Sequence, residues 1–237
     1  MLYAIGDLHL SLRADKPMDV FGTAWDHYEN RLRDGFSQLR EDDVCVICGD
    51  ISWGMNLADC REDFRFIHEL PGRKIILKGN HDYWWTTATK AYGLCRAEGF
   101  TTLDFLHNNS YVVGDIAVCG TRGWFFEEEK GGEHDKKIMN RELMRLEASL
   151  KSAPDGLEKV CFLHYPPLYR DYRCEEMMAM LHAYGVRYCY YGHIHGPGQR
   201  FAVKGETEGI VFRMVSADYV EFRPVPVKLA GEETEDL

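Results

Sequence analysis

Apolar and polar positions along the first hundred residues follow two rhythms. Short apolar runs at 1–5, 44–47 and 74–78 predict β-strands. Between them, Trp25, Tyr28, Leu32, Phe36 and Leu39 recur at spacings of three and four, which predicts a helix with one apolar face. Leu57, Cys60, Phe64, Ile67 and Leu70 predict a second helix, stopped by Pro71-Gly72. A third is predicted from about residue 82 to 98, ended by Gly99.

The rhythm changes past residue 100. Residues 111–114 and 116–120 read as paired short strands around a Gly-Asp turn. A polar loop with Glu127, Glu128 and Glu129 leads into a helix carrying Met139, Leu143, Leu146 and Leu150. A strand at 160–163, a helix near 174–184 and a strand at 187–191 follow. Three further strands are predicted at 201–203, 210–215 and 219–223, without helices between them. Alternation early and strands late predict an α/β fold of two packed sheets with helices outside. No linker or repeat divides it, so one domain is expected over 1–228, with 229–237 a disordered acidic tail.

Five strand ends carry residues able to bind metal: Asp7 and His9, Asp50, Asn80 with His81, His164, and His193 with His195. Open α/β sheets place their ligand crevices at the C-terminal rim of their strands. Asp7/His9 and His193/His195 are each spaced i, i+2, so in extended chain each pair projects from one face and can reach one centre. Carboxylates, imidazoles and an amide without thiolates suit manganese, iron, zinc or magnesium. They are too many for one tetrahedral ion. Two ions sharing a carboxylate are the economical arrangement, and such a site activates water for displacement at phosphorus.

Composition narrows this further. A formal net charge of −10 argues against a polynucleotide partner, which needs dense Lys/Arg contacts. It leaves room for a small phosphorylated substrate, since bound cations supply local positive charge. No apolar run approaches a membrane span, and the N-terminus reads as a first strand rather than a leader, so the cytoplasm is the expected location. The eight cysteines are expected as reduced core thiols. Cys45 and Cys48 lie in a strand, where residues three apart face opposite ways and chelate poorly.

The blocks GDLHL from Gly6, GDI from Gly49, GNHD from Gly79, the isolated His164 and GHIH from Gly192 occur in order. Together they resemble the calcineurin-like metallophosphoesterases. The resemblance implies a layered α-β-β-α sandwich of two mixed sheets. It implies that Asp7, His9 and His195 hold a first metal, that Asn80, His164 and His193 hold a second, and that Asp50 bridges both with an attacking hydroxide. His81 would then contact the phosphoryl oxygens or protonate the leaving group. The implied enzyme cleaves a phosphomonoester or phosphodiester, cyclic nucleotides among the candidates. A scaffold that has lost catalysis is disfavoured because every ligand position and His81 are retained. Residues 49–54 lack the GDxxDRG continuation of the protein phosphatases, and His81 stands where lipid A precursor pyrophosphatases have Arg.

Two assignments stay open between site and scaffold. Asp82 either orients a neighbour in the site or caps the helix after it, and the cap is the expectation. The predicted strand 116–120 also ends in a polar turn. There Arg122 could contact phosphate and Trp124 could stack on a flat group, or Arg122 pairs with a carboxylate and Trp124 packs. The aromatics Trp53, Tyr83, Trp84, Trp85, Phe125 and Phe126 read mainly as packing.

Overall fold

The computed structural model describes residues 1–125 and 132–229. The predicted acidic loop at 127–129, Phe126 and the C-terminal tail from 230 onward lie outside the described residues.

The first half alternates strand and helix: β1 (Leu2–Ile5), α1 (Tyr28–Phe36), β2 (Val44–Ile47), α2 (Arg61–Glu69), β3 (Arg73–Ile76) and α3 (Ala88–Glu98). Then come β4 (Leu103–Phe105), β5 (Tyr111–Val113), β6 (Ile116–Thr121) and the long α4 (Glu133–Ser152). The strand β7 (Glu158–Leu163) leads to a small hairpin of β8 (Leu168–Tyr169) and β9 (Tyr172–Arg173), then α5 (Glu175–Ala183). The chain closes with β10 (Tyr188–Tyr191), β11 (Gly205–Thr207), β12 (Ile210–Met214) and β13 (Val225–Pro226).

Two large sheets result. One has the order β13-β1-β2-β3-β4 and the other β11-β12-β10-β7-β6-β5. β1 to β4 run parallel, as do β6, β7, β10 and β12; the edge strands β13, β5 and β11 are antiparallel. Strand periodicity sorts the side chains into layers. Leu2, Ala4, Val44, Val46 and Ile75 meet Val118, Val160, Phe162 and Tyr190 between the sheets. Tyr3, Ile5, Cys45 and Ile47 point the other way, to α1, α2 and α3. Cys119, Cys161, Cys189 and Phe212 face α4 and α5. The architecture is the four-layer α-β-β-α sandwich. Among the described residues, no helix is long and apolar enough to cross a membrane.

All eight cysteines are free and buried, with Cys45 in the helix-facing layer and Cys48 between the sheets. Three expectations need correction. The third helix begins at Ala88, not near 82, and Thr87 caps it by accepting the Lys90 N–H. Residues 201–203 form no strand, because Phe201 ends a 3₁₀ turn that Pro197 helps to start. Residues 219–223 form a turn instead: Glu221 and Phe222 are left-handed, which drives Phe222 into the α1-side core. The short β4 is an element that periodicity did not reveal.

Candidate metal centre

Gly6 and Ser216 form a parallel bridge that stitches the end of β1 to the end of β12. The C-terminal ends of the parallel strands of both sheets therefore share one rim. Beyond β1 the backbone stays paired with the loop after β2: Asp7 N–H donates to Gly49 O and His9 N–H to Asp50 O, both at 2.9 Å.

That pairing is made in an unusual conformation. Asp7, His9, Asp50 and His193 all have positive φ, at 59°, 47°, 51° and 72°. Each such residue costs about 1 to 2 kcal/mol relative to the right-handed region. The sequence reading placed Asp7/His9 and His193/His195 on extended chain, but the left-handed backbone is what aims these side chains. The glycines before the ligands answer a second need. A Cβ on Gly79 would lie 2.0 Å from Asp50 Oδ1, and one on Gly192 would lie 2.4 Å from Asp7 Oδ2.

Two groups of side chains converge. Asp7, His9 and His195 form one, and Asp50, His164 and His193 the other, with the ligating atoms in each within 4.8 Å of one another. In the first, His9 Nε2 and His195 Nε2 are 3.3 Å apart, and His195 Nε2 is 3.6 Å from Asp7 Oδ1. In the second, Asn80 Oδ1 lies 2.5 Å from His164 Nε2 and 3.0 Å from His193 Nδ1. Asp50 faces both: its Oδ2 is 3.7 Å from His9 Nε2 and 3.5 Å from His164 Nε2.

The electrostatics suit cations. Burial, with Asp82 and Asp7 beside it, raises the Asp50 carboxyl well above the usual carboxylate range. Burial lowers the imidazoles of His9 and His193 far below their ordinary value and brings His164 to about 3. These rings are neutral at physiological pH, the form that ligates metal. Among the described residues, no Lys or Arg pairs with Asp7, Asp50 or Asp82. Three carboxyl groups buried so close together form an unfavourable charge arrangement that bound divalent ions relieve. The donor set and its arrangement fit two such ions.

Outer contacts orient the rings. His164 Nδ1 lies 2.9 Å from Cys48 O, which leaves Nε2 facing the group. His195 Nδ1 lies 2.8 Å from Asp218 Oδ1, leaving its Nε2 likewise. Burial opposes charge on His195, but Asp7 and Asp218 outweigh it and raise the imidazole to about 10. Asp218 also accepts from Gly196 N–H and Gln199 Nε2. It was missed in the sequence, yet the signal was present: residues 216–218 are one more polar turn after a strand.

Asp82 belongs to the site and not to a helix cap. It is fully buried and accepts from the N–H groups of Gly79, Asp50 and Ile51 at 2.7–3.0 Å, and from Trp84 Nε1 at 2.9 Å. One carboxylate thus pins the loops carrying Asp50 and Asn80. His81 falls in neither group. Its N–H donates to Asp50 Oδ1, and its ring lies 4.5 Å from that of Trp53. Burial and the nearby Lys16 ammonium lower its imidazole.

Arg122 pairs with Glu142, a fully buried carboxylate from α4, and sits over the Trp124 ring. Trp124 packs beside Tyr165. Of the other aromatics, Trp53, Trp84 and Trp85 are buried and Tyr83 is half exposed. Phe125 lies against His193 and Tyr165.

The family model of the calcineurin-like phosphoesterases matches residues 2–197, and the chain belongs to that family. No curated protein matches it by sequence. Among solved structures it is similar to the phosphopantetheinyl hydrolase PptH of Mycobacterium tuberculosis, with a TM-score of 0.61 and 14% identity over 99% of this chain and 98% of that one. It is also similar to the protein of unknown function AQ665 of Aquifex aeolicus, with a TM-score of 0.53 and 15% identity over 95% of this chain and 94% of the other. At these identities the likeness is one of fold.

Proposed function

We propose that the protein is a dinuclear metal-dependent phosphoesterase hydrolysing a phosphomonoester or phosphodiester bond of a small substrate. The observation that carries this is Asp50, whose carboxylate faces both ligand groups at once. Asp7, His9 and His195 would hold one ion, Asn80, His164 and His193 the other, and Asp50 both. Bound divalent ions supply Lewis acidity and an activated water.

The remaining chemistry falls to the chain. Asp82 keeps the Asp50 and Asn80 loops in register, and Asp218 holds His195 with Nε2 forward. His81, beside the ligands but outside both groups, is placed to donate to a phosphoryl oxygen or to the leaving oxygen. Hydrolysis consumes one water: its oxygen joins phosphorus, the bond from phosphorus to the leaving oxygen breaks, and that oxygen gains a proton. The retained ligands and His81 support an enzyme over a scaffold.

The test is metal analysis together with an activity panel. Manganese-loaded protein is offered a phosphomonoester, a phosphodiester and cyclic nucleotides, with Asp50→Asn as control. Two bound ions and turnover of at least one ester class are expected. Protein that holds no metal and cleaves no ester refutes the proposal.

A further inference from the structure

Two cavities compete for attention. The larger, about 610 Å³, lies along β11 and β12 and touches none of the candidate ligands. The smaller, about 410 Å³, opens directly on His9, Asp50, His81, His193 and His195. Its other walls are Met18, Ala24, Trp25, Trp53, Gly196, Pro197 and Asp218.

Those walls offer little polarity. Trp53 Nε1 already donates to Met18 Sδ at 3.2 Å. The Asp218 carboxylate is taken by His195, Gly196 and Gln199. No Lys or Arg is among the lining residues, and the nearby Lys16 ammonium sits over the Trp53 ring, 3.9 Å from its centroid. A hydroxylated or multiply charged group entering here would lose water and find few polar partners in the walls, which weakens binding. Flat apolar groups would instead meet Trp25, Trp53 and Met18, which are buried and held in place. Trp53 stacks on His9 with centroids 5.1 Å apart, and Trp25 meets the same ring edge-on.

The position of His81 gives the cavity a direction. Its ring lies against Trp53, at the boundary between the ligand groups and the apolar walls. We infer that this cavity receives the leaving group of the ester, and that the substrate is a phosphate ester of an apolar alcohol, aromatic ones fitting best. This rests on the phosphoesterase reading and adds the class of alcohol. Esters of sugars and polyphosphates are expected to be poorer substrates.

Phosphonates test it without turnover. Calorimetry on manganese-loaded protein compares phenylphosphonate with methylphosphonate; the aromatic one is expected to bind about tenfold tighter or more. Ala24→Trp fills the cavity from an exposed wall that touches no ligand, and it should erase the preference while metal content and methylphosphonate affinity stay unchanged. Pro197→Trp fills it from another wall should the first variant fail to fold. Equal binding of the two phosphonates, or a preference that survives both substitutions, overturns the inference and leaves the phosphoesterase reading standing. Hydrolysis of no ester by loaded protein overturns both.

Discussion

Strands β2 and β6 both run into polar turns at the same rim, and the turns resolve their charge in opposite ways. After β6, Thr121 Oγ1 donates to Glu142 Oε2, and Arg122 and Arg145 pair with Glu142 Oε1. That cluster matches its own charges, although Arg122 Nε is buried without a hydrogen-bond partner among the described residues. It also supports the site through backbone, since Arg122 O accepts from the N–H groups of His164 and Tyr165. After β2, Asp50 is buried beside Asp82 and Asp7 with imidazoles around it and, among the described residues, no Lys or Arg paired with it. A place at the rim is therefore not enough for chemistry. What marks the site is buried polarity that the chain itself leaves unbalanced.

Substitutions can break this contrast, and Asp50→Asn should do so most severely. Removing the shared carboxylate is expected to lower turnover by more than about a thousandfold and bound metal below two ions per chain, read by elemental analysis. His81→Ala comes next, with turnover down about a hundred- to a thousandfold and both ions retained. Loss of metal from that variant would place His81 among the ligands instead.

The closed cluster should answer in stability rather than chemistry. Glu142→Gln leaves Arg122, 11% exposed, without its counter-charge and should cost about 2 to 3 kcal/mol in denaturant unfolding, with metal content intact. Asp218→Asn should weaken metal binding about ten- to a hundredfold, confined to the ion held by Asp7, His9 and His195 and visible as one shifted step in a two-ion titration. Arg122→Ala is the mildest, at about 1 kcal/mol of stability with an unchanged Michaelis constant. A raised constant at unchanged stability would return Arg122 to the substrate.

Much of this was legible in the chain, and the failures share a cause. The parallel strands β1, β2 and β10, and β7 from Val160 onward, are continuous apolar runs, as doubly covered strands must be. The candidate ligands could be read because each follows such a run directly. Asp82 could not be placed from sequence, because its partners at Asp50 and Ile51 are about thirty residues away, whereas a helix cap is a local device. The i, i+2 spacing by itself would let His193 and His195 share a centre, whereas they fall in different groups, as the family resemblance implied. Phe222 was misread for a similar reason, since a turn delivers it to the core where alternation suggests a strand. Local pattern revealed elements and candidates, and docking of the two sheets decided who meets whom.

That docking bears on how the protein is assembled. Asp7, His9, Asp50 and Asn80 follow strands of the first sheet, while His164, His193 and His195 follow strands of the second. Neither sheet alone presents a full coordination set, so tight ion capture has to wait until the halves of the sandwich have closed in register. Each ion would then act as a rivet across the seam, adding its binding free energy to the closed form alone. Metal scarcity would thus be felt first as a loosening between the sheets, and catalytic competence would certify that the chain had been put together correctly.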